Sequence, residues 1–134
     1  MREIKIEKPT VDGGTAMSVN VLGDERTLRI VFADMVDGKY DYENGIACDF
    51  DFVNSAILLM VLGGTVKKTG DSGILELDGG VKFAMATKGS VTTDGVVAGA
   101  MKDGRNVRVK LTPGECAGLR AAITAAFYFL TFAD

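Results

Sequence analysis

The chain has 134 residues, of which 47% are apolar and 25% charged, the balance of one ordinary globular domain able to bury about two thirds of its unfolded surface. Its net charge is −3, it has no histidine, and its only cysteines are Cys48 and Cys116. The commonest general base and metal ligand is therefore absent, and paired-cysteine zinc or redox motifs are excluded, which disfavours most hydrolytic and zinc mechanisms.

The apolar runs at 55–62 and 121–132 are shorter than the roughly 20 residues needed to cross a bilayer. The start, MREIKIEKPT, alternates charge with isoleucine instead of offering a signal-peptide core, so a cytoplasmic location is expected.

In chain order, Ile4 and Ile6 flank Lys5 in a first strand that Pro9 and the Asp12-Gly13-Gly14 turn should end. Met17, Val19 and Val21 alternate with Ser18 and Asn20 in a second strand, closed by Gly23-Asp24. Leu28, Ile30 and Phe32 alternate with Thr27, Arg29 and Val31 in a third. The Asp37-Gly38 turn precedes Lys39-Tyr40-Asp41-Tyr42, and Asn44-Gly45 turns the chain into a strand over 46–50. From Asp51, apolar residues fill almost every position up to Gly63-Gly64; Asp51 as N-cap and the terminal glycines predict a helix.

Strands are predicted again over 65–68, 74–77, 81–86, 91–98 and 105–111. In the last, Asn106, Arg108 and Lys110 alternate with Val107, Val109 and Leu111, giving one wet basic side and one apolar side. Thr112, Pro113 and Glu115 then supply an N-cap, a first-position proline and a capping-box glutamate. The helix they open carries Leu119, Ile123, Ala126, Phe127 and Leu130 at spacings of three and four.

The pattern divides into two similar halves, about 1–63 and 64–134. Each is a run of about four strands followed by a helix, and residues 49–54 align without gaps over 110–115. The expected fold is α+β: a pseudo-twofold single domain of two antiparallel sheets whose inner faces pack with apolar helices. Phe127, Phe129 and Phe132 cannot all face one core from one helix. Leu119, Ile123, Phe127, Phe129, Leu130 and Phe132 are thus expected to form the interface of a homo-oligomer, a dimer or a tetramer.

Charge is segregated: residues 1–78 carry −6, residues 79–111 carry +4 and the remainder −1. A local field attracts a polyanion, whatever the total. The acids Asp37, Asp41, Glu43, Asp49 and Asp51 lack the glycine and terminal glutamate of a calcium loop, so no metal or other cofactor is expected. No nucleophile and base stand where one would activate the other.

Met101-Lys102-Asp103-Gly104-Arg105, followed by Val107, Val109, Leu111, Thr112-Pro113, Leu119-Arg120 and Ile123, resembles the strand-to-helix signature of the transcription coactivator called positive cofactor four. The two-repeat layout, with Tyr40-Asp41-Tyr42 ahead of the first helix, resembles the Whirly proteins. The motif covers about residues 99–123 and the layout most of the chain. The chain departs from both families in lacking tryptophan, and from the Whirly pattern in its acidic first half.

The resemblance implies sequence-tolerant binding of single-stranded DNA in transcription, replication or recombination, without catalysis. By it, Lys102, Arg105, Arg108 and Lys110 match the basic positions of the last strand, and Lys82 and Phe83 a cation beside an aromatic. Composition adds Lys88 to the cations, and Lys39, Tyr40 and Tyr42 as a second group where bases could stack; Phe32, like Phe83, shares the apolar parity of its strand. RNA stays open as a ligand, since no residue is assigned to read a sugar hydroxyl. A structural or assembly protein, possibly viral and without nucleic-acid affinity, is the alternative.

Overall fold

The structure, a computed structural model, describes residues 3–11, 13–22, 26–63 and 74–132, with 128–132 described as helix backbone alone. In the first sheet β1 (Ile4–Thr10), β2 (Gly13–Leu22) and β3 (Thr27–Val36) form an antiparallel meander. The two-residue β4 (Lys39–Tyr40) pairs with the end of β3, and β5 (Ile46–Phe50) pairs along the rest of that strand. Helix α1 (Phe52–Leu62) follows. The second sheet has the order β6 (Ile74–Leu77), β7 (Val81–Ala86), β8 (Val96–Lys102) and β9 (Arg105–Leu111), again antiparallel. A single helical turn, α2 (Val91–Asp94), sits between β7 and β8, and α3 (Pro113–Phe132) closes the chain.

Period-two alternation sorts each strand into an inner and an outer face. Met17, Ile30, Phe32 and Phe50 of the first sheet meet Phe83, Val107 and Val109 of the second in one buried core. Phe83 anchors it, edge-on to Phe50 at 4.9 Å between centroids and tilted against Phe32 at 5.9 Å. Leu58 and Leu62 of α1 and Leu119 and Ile123 of α3 join the same cluster. The sheets therefore pack on each other as well as on the helices.

Both long helices start where their caps direct. Asp51 Oδ1 accepts from Asn54 N–H at 2.9 Å, and in α3 Thr112 Oγ1 accepts from Glu115 N–H at 3.1 Å while Glu115 Oε1 accepts from Thr112 N–H at 2.9 Å. Hairpins of the same make precede them: Asp37-Gly38 and Asp103-Gly104 both hold positive φ, at 53° and 78° and at 52° and 79°, as a two-residue turn requires. After the first hairpin, however, residues 41–45 loop out and separate β4 from β5, whereas β9 runs on unbroken.

Three expectations differ from the structure. β1 passes through Pro9, which an edge strand tolerates, and Gly13 and Gly14 pair with Thr10 and Pro9 instead of turning. The strand expected over 91–98 begins only at Val96. The β-branched run Val91-Thr92-Thr93 imitates a strand, but Asp94 Oδ2 accepts from Ser90 N–H at 3.0 Å, which curls the segment into α2, and Gly95 at φ 73° ends it. The strand expected over 65–68 lies outside the described residues, as do the Gly23-Asp24 turn and Gly64.

Candidate nucleic-acid interface

The outer face of the second sheet is built from three cross-strand rows. Register places Glu76, Lys82, Met101 and Asn106 in one; Ile74, Ala84, Gly99 and Arg108 in the next; and Ala86, Val97 and Lys110 in the third. Lys82, Arg108 and Lys110 are exposed, and among the described residues none of them forms an ion pair or a side-chain hydrogen bond. Between the cations the surface is low and apolar, with Ile74 53% and Val97 40% exposed. Sequence patterning showed the cations but not this floor, whose signal was the opposite parity of Ala84, Ala86, Val97 and Gly99 from the buried residues of β7 and β8.

The β8–β9 tip carries Lys102 and Arg105 on either side of Asp103, which lines both concavities there. Lys102 is exposed there and shares with Lys82, Met101 and Asn106 the lining of a concavity of about 390 Å³. On the other flank Lys102, Arg105 and residues 45–47 line a second concavity of about 410 Å³. Arg105 is used differently from its neighbours. Its Nη1 donates to the carbonyl of Asn44 and its Nη2 to Asp34 Oδ2 at 3.2 Å, so it pins the tip to the first half of the chain. Lys88 is exposed on the loop that leaves β7.

The structure does not bring the aromatic candidates to this face. Phe83 is 2% exposed and Phe32 fully buried, so neither presents a ring to a base; in both, the apolar parity of the strand decides the side. Tyr40 and Tyr42 lie on the outer face of the other sheet, half-buried and 6.4 Å apart between centroids. Tyr42 OH donates to Glu7 Oε2 at 2.9 Å and Lys5 Nζ sits 4.8 Å above the ring. Burial, then the bond and charge of Glu7, push the Tyr42 phenol far above its usual range. The Tyr40 hydroxyl is buried without a hydrogen-bond partner among the described residues. Lys39 is exposed at the start of β4.

Other charged groups of the first half are bonded in place. Arg29 Nε and Nη2 donate to Asp49 Oδ1 and Oδ2 at 2.7 and 2.9 Å, and this bonding holds the Asp49 carboxyl below its ordinary range against the opposing effect of burial. Asp41 accepts from the backbone and side chain of Asn44, and Asp51 caps α1. Among the described residues no three Cys, Asp or Glu side chains converge as a metal site. Burial raises both thiols, Cys48 to about 12, which makes them poor nucleophiles.

Of the expected interface on α3, Leu119 and Ile123 are instead buried in the chain's own core, because α3 turns that stripe toward β9 and α1. Phe127 is partly buried, its ring 5.1 Å from that of Phe52. The side chains of Phe129, Leu130 and Phe132 lie outside the described residues. On the described helices, the large exposed apolar side chains are on α1: Val53 is 60%, Phe52 56% and Met60 48% exposed. None of the described helices is long and apolar enough to cross a membrane.

No protein-family model matches this chain, and no curated protein matches it in sequence. Solved structures do match. WHY1 from Arabidopsis thaliana superposes with a TM-score of 0.61 at 12% identity, over 98% of this chain and 85% of that one. WHY3 from the same plant gives 0.60 at 14% identity, over 99% and 90%. The plant transcriptional regulator PBF-2 gives 0.63 at 11% identity, over 97% and 90%. The likeness runs through both sheets and the helices: the chain has the fold of the Whirly proteins.

Proposed function

We propose that this chain is a non-catalytic single-stranded-DNA-binding protein of the cytoplasm, acting in transcription, replication or recombination as a homo-oligomer. The observation that supports the reading is the open outer face of the second sheet, where Lys82, opposite Glu76, and Arg108 and Lys110 stand without ion pairs among the described residues around an apolar floor, and Lys102 extends the charge to the hairpin tip. A single strand needs cations along its phosphates and a surface for bases that are no longer stacked on each other. Four strands at their usual spacing make this face about 14 Å across, wide enough for a short stretch of extended strand. The description of one structural neighbour as a transcriptional regulator fits that use.

The decisive experiment is a gel-shift series at low salt with oligo-dT, duplex DNA and RNA. Affinity for oligo-dT should exceed that for duplex and fall with salt by a log–log slope of about −0.7 per phosphate contact. Absent binding, or equal binding to strand and duplex, would remove the reading.

Exposed Phe52, Val53 and Met60, beside the Phe52–Phe127 contact, favour self-association through the helices. Sedimentation should show a dimer or a tetramer. The same patch is what favours the assembly alternative, which large particles lacking nucleic-acid affinity would support.

A further inference from the structure

Single-strand sites usually include an aromatic platform, yet none of the outward side chains of β6, β7, β8 and β9 is aromatic. Gly99 suggests what takes its place. A Cβ built there would lie 2.8 Å from the Val107 carbonyl oxygen and 3.0 Å from Arg108 Cγ. The Arg108 stem therefore fills the space a side chain at 99 would need, leaning inward over β8 instead of standing off the edge strand β9. Ala84, next in the row, is short as well.

We propose that Arg108, laid across Gly99, is the surface on which an unstacked base rests, and that Gly99 is the residue that positions it. This rests on the single-strand reading and assigns the base contact within it. A guanidinium is planar, weakly hydrated and stacks on flat rings, whereas an ammonium of equal charge does not. The side chain is exposed and forms no ion pair among the described residues, so no carboxylate competes for its guanidinium. Lys82 and Lys110, in the flanking rows, hold the backbone on either side.

Arg108→Lys separates stacking from charge. The probes are a short oligo-dT and an abasic deoxyribose-phosphate oligomer of the same length. Expected for R108K is binding to oligo-dT about tenfold weaker, with affinity for the abasic oligomer and the salt slope unchanged. Gly99→Ala should give the same signature by displacing the Arg108 stem, although its Cβ must also push back the Val107 carbonyl. If G99A does not fold, R108K carries the test alone, since its side chain is solvent-exposed. Wild-type affinity of R108K for oligo-dT, or an equal loss on both probes, would overturn the platform and leave the single-strand reading standing. Wild-type protein that binds no oligo-dT at low salt would remove both.

Discussion

The two sheets share a design of strands, tight Asp-Gly hairpin and capped helix, but their outer faces have opposite characters. On the first, Lys5 is drawn to Glu3 and the Tyr42 ring, Tyr42 is bonded to Glu7, and Arg29 is bonded to Asp49. The loop at 41–45, which β9 lacks, folds the tyrosines over it. On the second, Lys82, Arg108 and Lys110 have no such partners and nothing among the described residues covers them. The first face pairs Lys5 and Arg29 with its own acids, while the second presents Lys82, Arg108 and Lys110 without ion pairs among the described residues, a local positive field on a chain of net charge −3.

The largest effect belongs to the core between the faces. Phe83→Ala should cost about 3–5 kcal/mol, a large share of the roughly 5–15 kcal/mol of a typical domain, as a lower denaturant midpoint will show. The milder Phe83→Leu, if folded, should bind oligo-dT like wild type. Weaker binding by that variant would mean the ring reaches the ligand after all. Next comes the open face itself: Arg108→Glu with Lys110→Glu should lower affinity for oligo-dT by about a hundredfold and flatten the salt slope by about 1.4. Arg29→Glu, the matching reversal on the closed face, should leave both nearly unchanged.

How much of this was legible in the sequence follows from which forces are local. Alternation at Asn106, Arg108 and Lys110, and the caps at Asp51 and Thr112, are properties of a few neighbouring residues, and the structure keeps them. Phe83 sits beside Lys82 in sequence but on the other face, and its strand parity already said so; the family resemblance pulled it outward. Leu119 and Ile123 looked like an interface because an apolar stripe does not say whether it meets its own chain or another. The engagement of Arg105 with Asp34 and Asn44 joins positions far apart in the chain, and no local pattern announces a bond of that kind. Nothing in the sequence singles out Gly99, which lies just past the strand expected over 91–98; its closeness to Arg108 appears only when β8 and β9 are paired.

Arg105 offers a finer cut between the halves. Arg105→Ala should destabilise by about 1 kcal/mol, the worth of a hydrogen-bonded, partly exposed ion pair, and amides of residues 41–45 should exchange faster with solvent. Oligo-dT binding should suffer less than in Arg108→Ala, because Arg105 is already occupied. The reverse order of losses would move the phosphate path from the sheet to the hairpin tip.

The smallest effect is on pH. The bond from Arg29, working against burial, holds the folded pKa of Asp49 below that of the unfolded chain. The stability it contributes is therefore complete above the unfolded value of about 3.9 and is lost as pH falls through the lower folded value. Protonation also leaves the Arg29 charge without its carboxylate partner. Wild type should thus lose slightly more stability than Asp49→Asn between pH 5 and pH 2, read as a difference in melting temperature. Parallel curves for the two proteins would show that this pair contributes nothing measurable to stability.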